Sequence, residues 1–307
     1  MLKITKGKID RAIKVVIYGS EGIGKSTLAS RFPDPLFIDT EGGTAHMDVN
    51  RIDRPSTWPD LLSTVNEVAQ EEVCKTLVID TADWAEQLCI DYICTKYKQP
   101  SIEGFGYGKG YTYLGEEFSK LLKALDGVIA SGKHVVVTAH AKMRKFEQPD
   151  EMGAYDRWEM KLSRQVAPLL KEWCDMLLFM NYKTFVVVSE NGTVKGQGGK
   201  RVIYTSHHPC WDAKNRHGLP EEIDADFSEI AHLFANEPHK VTALDTVHEL
   251  MDQDGITEAE ICEVAWQRKK AKEKKETLTE LDPALISDWV TKYWPQIVEA
   301  VKANRTY

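Results

Sequence analysis

Cysteine is scarce and unpatterned: six residues, Cys74, Cys89, Cys94, Cys174, Cys210 and Cys262, with no Cys-x-x-Cys pair. That excludes a disulfide-framed secreted domain, which is short and dense in cysteine, and points to a reducing compartment. Zinc spacing is missing as well. The nearest grouping, His207-His208-Pro209-Cys210 with His217 further on, has no second ligand pair and reads as ordinary loop and strand. No apolar run approaches the ~20 residues that span a bilayer. The first fourteen residues hold five cations and no apolar core of a signal peptide, so a cytoplasmic protein is expected. Internal repeats and low-complexity tracts are absent. Positive charge is in deficit: 39 Lys+Arg against 47 Asp+Glu gives 39 − 47 = −8. This argues against a histone-like coat on nucleic acid, but not against a local cationic site. What is present is an ordinary globular balance, 42% apolar and 28% charged, over 307 residues. That length suits one large core with room for a small second domain.

The order of apolar segments sets the fold class. Residues 14–18 read as a buried strand, 36–39 as a second, 76–80 as a third, 135–138 as a fourth and 176–180 as a fifth. Helical spacing occupies 25–31, 61–71, 84–96, 118–130 and 162–173 between them. Apolar strands alternating with helices predict a mostly parallel sheet covered on both faces. Residues 185–188 and 202–204 flank Asn191-Gly192, a primed-turn signal, and predict a hairpin that extends the sheet. From 240 to 303 the pattern is helical, broken by the basic run 268–275, which reads as a solvated linker. Trp266, Trp289 and Trp294 are expected in the core of this part. The boundary is expected near Asn236-Glu237-Pro238, giving domains 1–238 and 239–307.

Gly19-Ser20-Glu21-Gly22-Ile23-Gly24-Lys25-Ser26 fits G-x-x-x-x-G-K-[ST] in full, and Thr27 completes the candidate nucleotide-binding segment. A strand precedes it and a helix follows, as the motif requires. The glycines let backbone N–H groups turn inward around phosphates. Lys25 then reaches the β- and γ-phosphates, and the Ser26 hydroxyl ligates Mg²⁺. Asp80 ends the third strand, where a carboxylate holds the metal through water. ATP and Mg²⁺ are therefore the expected ligands. Thr81 follows Asp80, so the Asp-Glu pair usual in AAA+ ATPases is missing.

With Glu41 just past the second strand, in Phe37-Ile38-Asp39-Thr40-Glu41, the chain resembles the RecA-like ATPases. The resemblance implies a RecA-like P-loop core and makes Glu41 the residue that polarises the attacking water. It places a γ-phosphate sensor at His140, where that family commonly has glutamine. The stretch 211–218 is similar to the Lys-x-Arg segment of hexameric relatives, which implies that Lys214 and Arg216 act on a neighbouring subunit's nucleotide. A homo-oligomer, ring or filament, follows. The glycine-aromatic segment 101–111, with Tyr107 and Lys109, corresponds to a first DNA loop. Residues 142–146 with Arg157-Trp158 correspond to a second, offering Lys142, Arg144, Lys145 and Arg157 to DNA.

Taken together, residues 14–235 resemble small phage-encoded RecA-like ATPases of recombination and single-strand annealing. The expected function is ATP-dependent binding and annealing of single-stranded DNA, with a single-strand-binding protein among its partners. Fewer than twenty residues precede the loop, so the polymerisation module of full recombinases is not expected, nor is strand exchange. Two other classes stay open. One is an AAA+-like helicase loader with 240–303 as a lid, and the other is a nucleotide-gated DNA-binding scaffold with little hydrolysis.

Overall fold

The computed structural model describes residues 6–7, 11–147, 153–188, 194–235 and 243–305. One compact unit runs from residue 11 into the 230s, and the helical segment from 243 onward belongs to a second. The expected boundary at 236–238 and the Asn191-Gly192 turn lie outside the described residues.

The first unit is built on strands β1 (Lys14–Gly19), β2 (Pro35–Asp39), β3 (Asn50–Ile52), β4 (Thr76–Asp80), β5 (His134–Glu147), β6 (Ala154–Met160), β7 (Met176–Val188), β8 (Val194–Tyr204) and β9 (Glu222–Asp224). The sheet order is β3-β2-β4-β5-β1-β7-β8-β9, with β6 paired to β5 alone. From β3 to β7 every pair is parallel, and β7–β8 and β8–β9 are antiparallel. Helices α1 (Lys25–Ala29), α2 (Trp58–Gln70), α3 (Ala82–Lys96), α4 (Lys109–Ala130) and α5 (Val166–Trp173) connect them. β1 shows why both faces are covered. Val16 and Tyr18 enter one buried cluster with Trp58, Phe118 and Phe179, while Val15 and Ile17 enter another with Ile23, Phe32 and Phe234. Alternate side chains face opposite ways, so an all-apolar strand needs cover on both sides.

Several elements differ from expectation. β3 is short and polar (Asn-Arg-Ile), so it carries no apolar signal, and the strand ending at Asp80 is the fourth in chain order. α4 begins at Lys109 rather than Phe118, which leaves Tyr111 inside a helix and shortens the first expected DNA loop. The larger correction concerns 142–158. β5 does not end at His140. It runs on to Glu147 and pairs antiparallel with β6, so the expected second loop is a two-stranded ribbon. Phe146 faces Tyr155 across it with ring centroids 5.6 Å apart, and Arg157 lies over the Phe146 ring at 5.2 Å. Such cross-strand aromatic pairs stabilise a ribbon that has no core of its own.

The second unit contains α6 (Ala243–Asp254), α7 (Glu258–Gln267), a short α8 (Pro283–Leu285) that continues as a π-turn over 286–291, and α9 (Trp294–Asn304). Thr257 and Glu260 form a capping box at the start of α7. Its core is Val247, Ile261, Val264, Trp289, Trp294 and Ile297. Trp266 departs from expectation: it is 46% exposed, with the Lys274 ammonium 5.5 Å from its ring. It stands one residue before the end of α7, whose buried residues are Ile261, Cys262, Val264 and Ala265.

Candidate functional site

The carboxyl ends of β1, β2 and β4 meet the middle of β5 at His140 because the register aligns them. Gly19 sits opposite His140 on β5 and Met180 on β7, and Asp39 sits opposite Asp80. Ligands of open α/β sheets bind outside these ends. Gly19 is hemmed in so closely that a Cβ there would lie 2.4 Å from the Met180 carbonyl oxygen. Gly24, just before α1, has φ +108°, a conformation that suits glycine. Gly19 and Gly24, two of the loop's three glycines, are therefore required by backbone geometry.

Lys25 is buried, and its Nζ donates to the carbonyls of Gly19 (3.2 Å) and Ser20 (3.0 Å). Burial pushes its ammonium below the usual lysine range, opposed by Asp80, Asp83 and Glu41. An ammonium tethered to two carbonyls of the loop, within electrostatic reach of Asp80, Asp83, Glu41 and Glu21, is placed to meet phosphate. Ser26 Oγ donates to Asp80 Oδ2 at 2.7 Å, and the Thr138 hydroxyl donates to Asp80 Oδ1. This pairing of a hydroxyl with a carboxylate fits Mg²⁺, which prefers hard oxygen ligands and keeps several waters. Ser26 and Asp80 are the residues that would hold the ion, which would supply charge neutralisation of the phosphates.

Glu41 is held in place by its own turn. Asp39 Oδ1 accepts from the N–H groups of Glu41 (3.2 Å), Gly42 (2.6 Å) and Gly43 (3.3 Å). Asp39 Oδ2 accepts from the Thr44 N–H (2.8 Å) and hydroxyl (2.5 Å). Burial raises the Asp39 carboxyl, but these bonds outweigh it and leave it below the usual carboxylate range. The Thr40 and Glu41 N–H groups both donate to the Asp80 carbonyl, at 2.8 and 3.3 Å, fastening the turn to β4. The Glu41 carboxyl is pushed up by partial burial, opposed by His140 and reinforced by Asp83 and Asp80. A general base profits from a raised pKa.

His140 faces this carboxylate, with Nε2 3.9 Å from Glu41 Oε2. Its other edge is held by Asp83, in the first turn of α3: Asp83 Oδ2 is 2.8 Å from Nδ1, and Oδ1 accepts the His140 backbone N–H at 3.0 Å. Sequence reasoning missed Asp83, because an acid in a helix's first turn reads as a partner for the helix end. It missed Asp39 too, although Asp before Thr-Glu-Gly-Gly carries an Asx-turn signal. A third omission is Arg201 on β8, whose Nη1 donates to the Ile23 carbonyl at 3.3 Å. Nothing local in the sequence links Arg201 to a loop that the sheet brings beside it.

The remaining candidates lie elsewhere. Lys214 pairs with Leu177 near the start of β7, and Leu177 sits opposite Val16 of β1, three residues before Gly19. Its Nζ donates to the Lys171 (2.7 Å) and Glu172 (3.3 Å) carbonyls. Arg216 Nη1 is 3.4 Å from Asp175 Oδ1, a carboxylate that also takes Arg11 and the Lys14 N–H. Asp175 lies at the opening of β1, about 15 Å of strand from Gly19. Neither cation belongs to the site of its own chain. Tyr107 is fully exposed and Lys109 opens α4. On the ribbon Lys145 is exposed, and Arg144 is 3.7 Å from Glu159. Two candidates are already engaged. Lys142 Nζ donates to the Leu162 carbonyl at 2.7 Å, and Arg157 is paired with Asp212. His208 stacks on Trp211 at 4.1 Å and His207 lies 3.4 Å from Asp212, so these histidines have local partners.

A strand, a phosphate-type loop with Lys25 and Ser26, and a strand-end Asp80 at one edge of a parallel sheet define a P-loop NTPase. Residues 11–217 match the family described as "AAA domain", and the chain belongs to that family of P-loop ATPases. A Bacillus subtilis (strain 168) protein described as "SPbeta prophage-derived uncharacterized protein YorG" is 28% identical over 137 residues. That match covers 41% of this chain and 40% of the prophage protein, so the chain spans well under half of its relative's length. The family carries the AAA name although Thr81 stands where AAA+ enzymes usually have glutamate. At the level of a P-loop ATPase the family and the RecA-like resemblance agree. No helix among the described residues is long and apolar enough to cross a membrane.

Proposed function

We propose that the protein hydrolyses ATP at a site shared between subunits and uses the nucleotide state to hold single-stranded DNA, in phage-type recombination by annealing. The observation that carries hydrolysis is Glu41 facing His140 beside Lys25 and Asp80. Lys25, Ser26 and Asp80 hold phosphates and metal, and Glu41 orients water. Lys214 and Arg216, too far from their own loop, act on a neighbour's phosphates in the manner of an arginine finger. The ribbon supports the DNA reading because it springs directly from His140, so the strand that carries His140 to the site is continuous with Arg144 and Lys145. Tyr107 and Lys109 add an exposed ring and a cation, a combination that suits unpaired bases. The prophage relative supports a phage setting.

The test is ATP turnover with and without single-stranded DNA, read beside oligomer mass. Stimulation by DNA together with an assembled oligomer is expected. A persistent monomer whose turnover ignores DNA overturns the reading. The AAA-domain membership also favours a helicase loader. That alternative predicts stable binding to a replicative helicase and no annealing of complementary oligonucleotides.

A further inference from the structure

Asp83 grips His140 at two points, the ring Nδ1 (2.8 Å) and the backbone N–H (3.0 Å). About a tenth of each side chain is exposed, so water does not compete for the contact. Burial raises the Asp83 carboxyl, but the bonds from the His140 ring and N–H outweigh it and keep it below the usual carboxylate range. A carboxylate only accepts, so the hydrogen of the shared bond belongs to Nδ1. With the hydrogen on Nδ1, the neutral form of the ring carries its lone pair on Nε2. Nε2 and Glu41 Oε2 are 3.9 Å apart, too far for a direct hydrogen bond. The gap suits a water seated off the line between them, which at about 2.8 Å from each would bridge the two.

We infer that Asp83 is a positioning residue that turns His140 into a hydrogen-bond acceptor, so that His140 and Glu41 together hold the water that attacks the γ-phosphate. This rests on the hydrolysis reading above, and it replaces the expected role of His140 as a donor to phosphate, which needs a hydrogen on Nε2. In the step, the water oxygen forms a bond to the γ-phosphorus while the bond from phosphorus to the β–γ bridging oxygen breaks. That bond's electrons leave with ADP. One water proton passes to Glu41. The other, hydrogen-bonded to Nε2, stays on the phosphate product.

Asp83→Asn in the full-length protein separates the two roles. The Asn oxygen must accept the His140 N–H, which leaves its NH₂ facing Nδ1. The ring then takes the other tautomer and Nε2 becomes a donor. We expect kcat to fall about 10- to 100-fold while KM and the affinity for a non-hydrolysable ATP analogue stay within about twofold. Asp83→Glu, which keeps the charge, should retain more turnover than Asp83→Asn. Combined with His140→Asn, the Asp83 change should add nothing further. Melting temperatures accompany each variant, and Asp83→Ser makes the same comparison if the Asn variant does not fold. Unchanged kcat in Asp83→Asn overturns the inference while leaving hydrolysis intact. So does a loss of kcat and analogue affinity together, which marks a structural role. Absence of turnover in the wild type sinks the hydrolysis reading and this one with it.

Discussion

The Asp39 carboxylate bonds to neither the phosphate loop nor Ser26 and Asp80, yet five donors converge on it and shape the turn that carries Glu41. Asp39→Ala is expected to lower unfolding free energy by about 2–3 kcal/mol, the cost of stranding donors to a charged group. It should lower turnover more than ATP affinity, and urea melts beside steady-state kinetics check both. His134 gives a second prediction. Its Nδ1 accepts the buried Ile13 N–H at 3.1 Å, and burial pushes the ring down to about 4. The folded chain thus keeps His134 neutral where the unfolded chain, titrating near 6.5, takes up a proton. Stability falls as pH drops below 6.5 and the loss levels off near 4, reaching about 3 kcal/mol from this residue. His134→Asn should flatten that part of the stability–pH curve. Lys25, Ser26, Asp80 and Glu41 were legible because each stands at a motif position or a strand end. Asp39, Asp83 and Arg201 were not, since their importance lies in which strand neighbours which.

The ribbon was hidden for a related reason. Lys-Met-Arg-Lys-Phe has neither the β-branched density nor the apolar alternation of a buried strand, and its stability comes from pairing with 154–160. Its charge yields a test. Arg144→Glu with Lys145→Glu should weaken binding of a labelled oligonucleotide about tenfold or more at low salt. It should also reduce the slope of log affinity against log salt by about 2. ATP affinity should not move, since neither side chain reaches the phosphate loop. Unaltered oligonucleotide binding would remove the ribbon from the DNA site. The early start of α4 was equally illegible: Gly108 and Gly110 read as loop, yet Gly110 packs against the Ile102 carbonyl, where a Cβ would lie 2.1 Å away.

For the molecule as a whole, the informative feature is the separation of Lys214 and Arg216 from their own loop. If two chains share a site, Lys25→Ala and Arg216→Ala are each inactive alone. Mixed, they should regenerate about a quarter of wild-type turnover, because some interfaces then combine an intact loop with an intact finger. Two silent variants that stay silent on mixing remove the shared site. The net charge of −8 fits DNA binding only where cations collect away from their acids, and several foreseen cations are already paired. Fold class and helical tail followed from apolar periodicity, whereas the strand order β4-β5-β1 that creates the site did not, because it depends on crossovers.

β5 is one uninterrupted strand from His134 to Glu147, with its inner half in the sheet and its outer half in the ribbon. No slack separates the residue beside the nucleotide from the cations beyond it. Seven residues past His140 make an arm of about 23 Å, so a tilt of about 5° at its root moves the tip about 2 Å. A loop would absorb such a movement. A stiff strand would instead deliver it enlarged to the tip, as a lever does.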